Sequence, residues 1–226
     1  MTIHTQLCQL AGEWDGFVPE GGTLAELKVD GWRCLYTTGI EGGPRLWSRS
    51  GVPLDGADHV LYHCDLIARA AGEPLFIDGE IQVDGTLAGT KAWFEGGWRR
   101  GGERGHFHAF DCLTLAEWQA GGSDTPLYAR KARLQSLCRA VQDDGALSWE
   151  WRPGSRGDDA WRGAVTVLPD LWLESAADVQ AEVRRTWGMG LEGLMLKDAM
   201  SPYRRRRSNA WRKAKRENMH KWRNAA

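Results

Sequence analysis

Lys28 stands two residues before Asp30, three before Gly31 and five before Arg33, in the run KVDGWR. An amine, a carboxylate and a guanidinium at that spacing can make a nucleophile and the groups that steer it. An unperturbed lysine has a pKa of about 10.4, so at neutral pH only about one in a few thousand is the neutral amine able to attack. Nearby cations or a bound metal must lower that value, and the flexible four-carbon stem lets the amine approach a phosphorus atom in line. If the segment before Gly31 is extended, Lys28 and Asp30 share a face, and Gly31 permits the bend that re-aims Arg33. Asp-Gly is also a common hairpin signal, so a charged surface turn is the competing reading of these residues alone.

Five further motifs follow in order. They are Leu46-Trp47-Ser48-Arg49-Ser50-Gly51, Phe76-Ile77-Asp78-Gly79-Glu80-Ile81, Phe107-His108-Ala109-Phe110-Asp111, Glu192-Gly193-Leu194-Met195-Leu196-Lys197 and Trp211-Arg212-Lys213-Ala214-Lys215. From about Glu26 to Lys215 the series resembles that of the ATP-dependent DNA ligases. These belong to the covalent nucleotidyltransferase superfamily, with RNA ligases and mRNA capping enzymes. The arginine five residues after the lysine and the Ser-Arg-Ser-Gly element resemble the DNA ligases more than the other two branches. The resemblance implies an α+β fold of two antiparallel β-sheets flanked by helices, with an ATP cleft between them. It implies a minimal ATP-dependent DNA ligase, which forms a lysyl-AMP, transfers AMP to a 5′-phosphate at a nick in double-stranded DNA and seals the nick with the 3′-hydroxyl. Two alternatives stay open: an RNA ligase or other polynucleotide nucleotidyltransferase, and a non-catalytic nucleic-acid-binding remnant.

Within that series the residues take expected roles. Lys28 is the nucleophile, with Asp30, Arg33, Lys213 and Lys215 as its catalytic company. Lys213 and Lys215 are two apart, so a strand projects both from one face, with Arg212 and Arg216 on the other. Two ammonium groups converging on a phosphate would offset charge developing in the transition state. Glu80 and Glu192 are hard oxygen donors suited to Mg²⁺ (or Mn²⁺), although isolated glutamates near strands are solvent-facing or structural in most proteins. The resemblance also associates Glu80 with the ribose, places Phe110 against the adenine with Glu26 nearby, and adds Lys197 to the nucleotide site. A phenylalanine in an apolar strand is more often core. Arg33 and Arg49 offer forked donors to phosphate oxygens, and the resemblance assigns them to the nucleotide and to the 5′-phosphate of the nick.

The elements that must hold these groups are readable in outline. Leu24 to Thr37 and Arg45 to Arg49 read as strands around glycines 39, 42 and 43. Asp58 to Ala71 has helical spacing and stops at Gly72. Leu75 to Val83 alternates, with Asp78, Glu80 and Gln82 on one face, which predicts a half-buried strand presenting carboxylates to a cleft. Arg130 to Val141 and Ala177 to Trp187 read as helices. Gly89 to Gly105 and Pro153 to Gly163 read as loops; the first lacks the lysine and hydroxyl residue of a phosphate-cradling loop. His106 and His108 alternate on a strand without the spacing of a structural zinc site.

The chain has 226 residues, enough for one sizeable core, and is expected to be an adenylation domain over residues 1–215 with a short basic tail over 216–226. No oligonucleotide-binding (OB-fold) barrel is expected after Lys215, which leaves three readings open: a separate OB-fold or other protein partner supplies it, the basic tail partly substitutes for it, or the protein performs only some of the steps. Residues Ser201 to Ala226 carry ten Lys or Arg against one acid, Glu217, a charge of +9; the whole chain is at −1, so the first 200 residues sum to −10. A basic strip on an acidic body suits a polyphosphate partner, with Arg204, Arg205, Arg206 and Arg207 as DNA contacts. Five scattered cysteines without a paired motif, no leader and no apolar run of membrane-spanning length predict a reduced, cytoplasmic protein with no membrane partner. The compact length fits a bacterial or phage-infected cell as its setting.

Overall fold

The computed structural model describes residues 6–40, 42–100, 103–143 and 164–222. The fold is α+β, built on two five-stranded sheets with helices on their outer faces. The first sheet has the order β1 (Leu10–Glu13), β12 (Arg207–Lys215), β10 (Gly193–Lys197), β2 (Thr23–Leu27) and β9 (Asp170–Leu173). The second has the order β4 (Arg45–Ser48), β3 (Trp32–Thr37), β5 (Leu75–Gln82), β6 (His106–Thr114) and β8 (Val165–Val167). Both are antiparallel except for the pairs β1 with β12 and β6 with β8. A small ribbon, β7 (Gly122–Ser123) with β11 (Tyr203–Arg204), completes the β-structure of the described residues.

The alternation of β2 and β3 sorts their side chains between three cores. Cys34, Tyr36, Ile77, Ile81 and Phe107 face helices α1 (Asp58–Ala71) and α4 (Leu127–Asp143). Leu35, Phe76, Phe110, Tyr203 and Trp211 form a second core. Ala25, Leu194, Leu196 and Ala214 face a third with Val179 and Val183 of α5 (Ala176–Gly188). The predicted single strand from Leu24 to Thr37 is in fact two: the chain leaves the first sheet after Leu27 and enters the second at Trp32. Lys28 to Gly31 is therefore the crossing between sheets. Gly31 is required there because a Cβ would lie 2.3 Å from the carbonyl oxygen of Ile81.

Other boundaries follow local chemistry. Helix α1 ends at Gly72 in the left-handed conformation (φ 68°), which glycine adopts without steric cost. Helices α3 (Leu115–Gln119) and α5 each begin in a capping box, in which Thr114 with Glu117 and Ser175 with Asp178 satisfy each other's backbone N–H groups. The expected loop from Gly89 to Gly105 instead holds α2 (Leu87–Phe94), started by the Thr86 hydroxyl accepting from Gly89 N–H, and a 3₁₀ turn, Gly97–Arg100. Its two Gly-Gly pairs suggested a loop, but the cap and the buried Thr90 and Trp93 hold the helix. The expected loop from Pro153 to Gly163, with Gly101 and Gly102, lies outside the described residues. After Lys215 the chain forms a 3₁₀ helix, Arg216–Lys221, and Trp222 packs between Trp14 and Trp187 at ring-centroid distances of 4.8 and 5.9 Å. All five cysteines are buried and free. Among the described residues no helix is long and apolar enough to cross a membrane.

Candidate active site

One cleft of about 550 Å³ is lined by residues of both sheets and of the crossing between them. Strand alternation on the first sheet supplies its polar wall. Glu26, Met195 and Lys213 form a direct cross-strand row, and Lys197 pairs with Trp211 one step along. The alternate residues Ala25, Leu194, Leu196 and Ala214 are buried on the other face, which fixes the register that aims the polar set inward. The second sheet contributes Arg33, Glu80 and Phe110, and Ser48, Arg49 and Ser50 form another part of the lining.

Lys28 leaves β2 with its backbone N–H bonded to the Gly193 carbonyl at 2.9 Å. Its Nζ lies 2.5 Å from Oε2 of Glu192, whose Oε1 is 3.0 Å from Nζ of Lys215. One carboxylate thus ties the two amines together. Gly193 makes this approach feasible, because its φ of 146° suits glycine and a Cβ would fall 2.2 Å from the Ala214 carbonyl oxygen. Burial pushes the Glu192 carboxyl up, but hydrogen bonds from Lys28 and Lys215 outweigh it and hold it below its ordinary value. For Lys215 burial disfavours the charge, yet Glu192 wins and raises its pKa. Lys213 moves the other way, lowered by burial and by the neighbouring cations Lys215, Arg207 and Lys28.

Glu80 is pushed up to about 7, chiefly by burial, with Arg33 and Lys28 opposing. Arg33 donates from Nε and Nη2 to both oxygens of the buried Asp78, at 2.5 and 2.6 Å, and to the Gln9 carbonyl at 3.1 Å. Tyr203 adds its hydroxyl to Asp78 at 2.5 Å and accepts from the Gln9 backbone N–H at 3.0 Å. Asp78, expected on the cleft face with Glu80, is fully buried behind the wall and serves as the seat of Arg33. Phe110 is the extra residue of a β-bulge opposite Asp78 and Gly79. Its ring lies 4.7 Å from the Arg33 guanidinium carbon and 4.3 Å from Lys197 Nζ, within cation–π range. Lys197 is fully buried, 2.5 Å from Glu26, and its pKa is lowered, first by burial and then by Lys131.

Of the residues expected in the site, Glu26, Lys28, Arg33, Arg49, Glu80, Phe110, Lys197, Arg207, Lys213 and Lys215 line the cleft, and Glu192 joins it through its two ion pairs. Asp30 is exposed outside the lining, with its carbonyl accepting from the Gln82 side chain at 3.1 Å. Arg204 spends its guanidinium on the Ser123 and Tyr203 carbonyls and on Asp124. Arg205 lies on the Trp118 ring and donates to the Gln6 and Trp118 carbonyls, while Arg206 is exposed. Sequence reasoning missed Met195, Trp211, Gln9, Tyr203 and Lys131. Met195 and Trp211 share strand parity with Lys197 and Lys213, a signal that was legible.

The carboxylates of Glu80 and Glu192 are hard oxygen donors, the type a divalent cation takes. Among the described residues no three His, Cys, Asp or Glu side chains group as a ligand set. Magnesium takes only one or two carboxylates, with water and phosphate oxygens completing its shell; here Glu80 lines the cleft, while both oxygens of Glu192 pair with Lys28 and Lys215.

The model of a family described as ATP dependent DNA ligase domain matches residues 18–215. No curated protein matches the sequence. Among solved structures, the chain is 19% identical to Pmar-Lig_Pre, with a TM-score of 0.70, and covers 93% of its own length but 47% of that chain. The ATP-dependent DNA ligase of bacteriophage T7 in complex with ATP is 16% identical, with a TM-score of 0.70 and coverage of 96% and 70%. A Lig E DNA ligase, described as binding DNA with a minimal scaffold, is 19% identical, with a TM-score of 0.62 and coverage of 92% and 68%. At these identities the likeness shows the fold, and the chain spans less than half the length of Pmar-Lig_Pre.

Proposed function

The chain belongs to the family of ATP-dependent DNA ligase domains, and from that premise we propose that it makes a lysyl-AMP at Lys28, passes AMP to a 5′-phosphate at a DNA nick and seals the nick. The observation that supports this best is the meeting of Lys28, Glu192 and Lys215 at 2.5 and 3.0 Å in a cleft that Glu80, Phe110 and Lys213 also line. The cleft volume of about 550 Å³ falls within the usual range for small-molecule sites.

In the first step Lys28 Nζ forms a bond to the α-phosphorus of ATP as the bond to pyrophosphate breaks. An ion-paired ammonium is no nucleophile, so Lys28 gives up its proton before attack. Lys213 and Lys215 then face the phosphate with positive charge in place beforehand, which is where most of the rate in phosphoryl transfer arises. In the second step a 5′-phosphate oxygen attacks the same phosphorus, the P–N bond breaks and Lys28 recovers its proton. In the third the 3′-hydroxyl attacks the 5′-phosphorus and AMP departs. Glu80 and Glu192 are the residues that would hold Mg²⁺ or Mn²⁺, which when bound neutralises charge on phosphate oxygens. Arg49 and Arg207 supply cationic contacts for the DNA backbone, and residues 1–215 act as the adenylation unit.

Intact-mass measurement after incubation with ATP and Mg²⁺ tests this. The protein gains one AMP, the Lys28→Ala variant gains none, and the adenylated protein passes its AMP to a nicked DNA duplex in preference to nicked RNA. Labelling of the alanine variant would overturn the nucleophile assignment. A folded wild-type protein that takes up no AMP, even from a pre-adenylylated strand, would overturn the enzymatic reading.

A further inference from the structure

Lys131, in the first turns of α4, is 2% exposed and stands outside every motif of the series. Its Nζ lies 2.5 Å from Glu26 Oε1, 3.0 Å from the Leu168 carbonyl and 2.7 Å from Asp170 Oδ2. Three acceptors meet the three protons of one ammonium, so the group is fully committed. The second oxygen of Glu26, Oε2, meets Lys197 at 2.5 Å. Each oxygen of one carboxylate therefore faces a cation from a different element: Oε1 accepts a hydrogen bond from Lys131 of α4, and Oε2 is ion-paired with Lys197 of β10 without a hydrogen bond.

The consequence is rotational. A glutamate on a strand ordinarily samples several terminal torsions, whereas a carboxylate hydrogen-bonded at one oxygen and ion-paired at the other is held close to one orientation, with Oε2 left free to accept a hydrogen bond. Each oxygen keeps a further lone pair, and Glu26 lines the cleft beside Phe110 and Leu168. An acceptor-only group fixed in the wall beside an aromatic ring suits a flat ligand that carries an N–H donor on its edge. The buried lysine is costly to place, and packing alone would have favoured an apolar side chain on this face of α4.

We propose that Lys131, anchored by Asp170, is a positioning residue that holds Glu26 as a fixed acceptor for the exocyclic amino group of adenine, and so sets the preference of the cleft for that base. This rests on the reading of the cleft as a nucleotide site. A site built to hydrogen-bond an N–H rejects the analogue that lacks it, because its own acceptor is then left buried without a partner.

The test compares ATP with purine riboside triphosphate, which has the same ring and phosphates but no exocyclic amino group. Binding of each to the full chain is measured by calorimetry, without reliance on adenylation. Wild type is expected to prefer ATP by at least about tenfold, and Lys131→Met to shrink that ratio to about twofold. Asp170→Asn loosens the anchor from a residue whose side chain is 30% exposed, and is expected to reduce the ratio about threefold. Adding Lys131→Met to Glu26→Gln should cause no further change in the ratio, since the lysine acts through the glutamate. A merely structural lysine would weaken both ligands equally and leave the ratio intact. That result in folded Lys131→Met overturns the proposal, and if this variant does not fold, an unchanged ratio in Asp170→Asn does so. A wild-type protein that binds neither nucleotide overturns the nucleotide site and this inference with it. One that binds ATP selectively, in a Lys131-dependent way, yet forms no lysyl-AMP keeps the inference and sinks only the ligation chemistry.

Discussion

Glu80 and Glu192 are two glutamates of one cleft driven in opposite directions. Glu192 is lowered, because the hydrogen bonds of Lys28 and Lys215 outweigh its burial, whereas Glu80 is pushed up to about 7 because burial outweighs the opposing charges of Arg33 and Lys28. At neutral pH Glu80 is therefore divided between its acid and its carboxylate, and only the carboxylate is a good donor to a divalent cation. Adenylation of Lys28 is expected to fall as pH drops through 7, and Glu80→Gln is expected to be slow throughout and to lack that inflection. The stability consequence has a definite sign. A carboxyl whose folded pKa lies above its ordinary 4.5 binds its proton more tightly when folded, so its contribution is fully present below 4.5 and is lost as pH rises through 7. At pH 8 Glu80→Gln should therefore be more stable than wild type by about 1 to 3 kcal/mol, and the difference should vanish near pH 4. Urea unfolding of both proteins at the two pH values checks this, and a variant less stable than wild type at pH 8 would contradict the assigned shift.

The crossing from β2 to β3 converts sequence spacing into geometry. Lys28 belongs to the first sheet through its bond to Gly193, Arg33 to the second through Asp78, and Gly31 passes where only a hydrogen fits. Gly31→Ala would drive a Cβ to 2.3 Å from a backbone oxygen that cannot swing aside, at a cost of about 2 to 4 kcal/mol, and would displace Lys28 from Glu192. Gly72→Ala, whose Cβ meets nothing within 4 Å, should cost only about 1 kcal/mol for its left-handed φ of 68° and leave adenylation intact. Thermal unfolding of the pair separates the two costs, and equal, small losses would remove the special role of Gly31. This crossing marks the limit of what the sequence revealed. Alternation predicted Glu80, Lys213 and Lys215 facing inward and the α1 boundaries to the residue, because each depends on local period or a cap. The change of sheet within Leu24 to Thr37 is set by pairing partners more than 40 residues away in the chain, such as Asp78 with Leu35, which no local pattern encodes. Arg130 and Lys131 were legible in part: Leu127, Arg130, Lys131, Leu134, Cys138 and Val141 repeat at helical spacing, and two charges on a buried stripe signal partners elsewhere. Which partners they meet, Asp111 and Glu26, depends on the tertiary fold.

At the scale of the whole molecule, charge is divided more finely than the +9 tail and −10 body suggest. The arginine run faces two ways. Arg204 and Arg205 are spent on carbonyls, Asp124 and the Trp118 ring, which fasten β11 to β7 and to the N-terminal segment, whereas Arg206 is exposed and Arg207 lines the cleft with a single exposed bond to the Ala11 carbonyl. If the proposed DNA substrate crosses the cleft beside Arg49, only the second half of the run is placed to neutralise phosphates. Each phosphate neutralised contributes about −0.9 to the slope of log affinity against log salt for duplex DNA. Replacing Arg206 and Arg207 together by alanine should flatten that slope by about 2 and leave the unfolding temperature unchanged. Replacing Arg204 and Arg205 should do the reverse, lowering the unfolding temperature by several degrees while the slope of the protein that remains folded stays close to wild type. Fluorescence anisotropy with a labelled nicked duplex over a salt series distinguishes the two pairs. A slope that depends equally on all four arginines would show that the run opens to meet the DNA, and that the contacts it makes at rest are a store of cations.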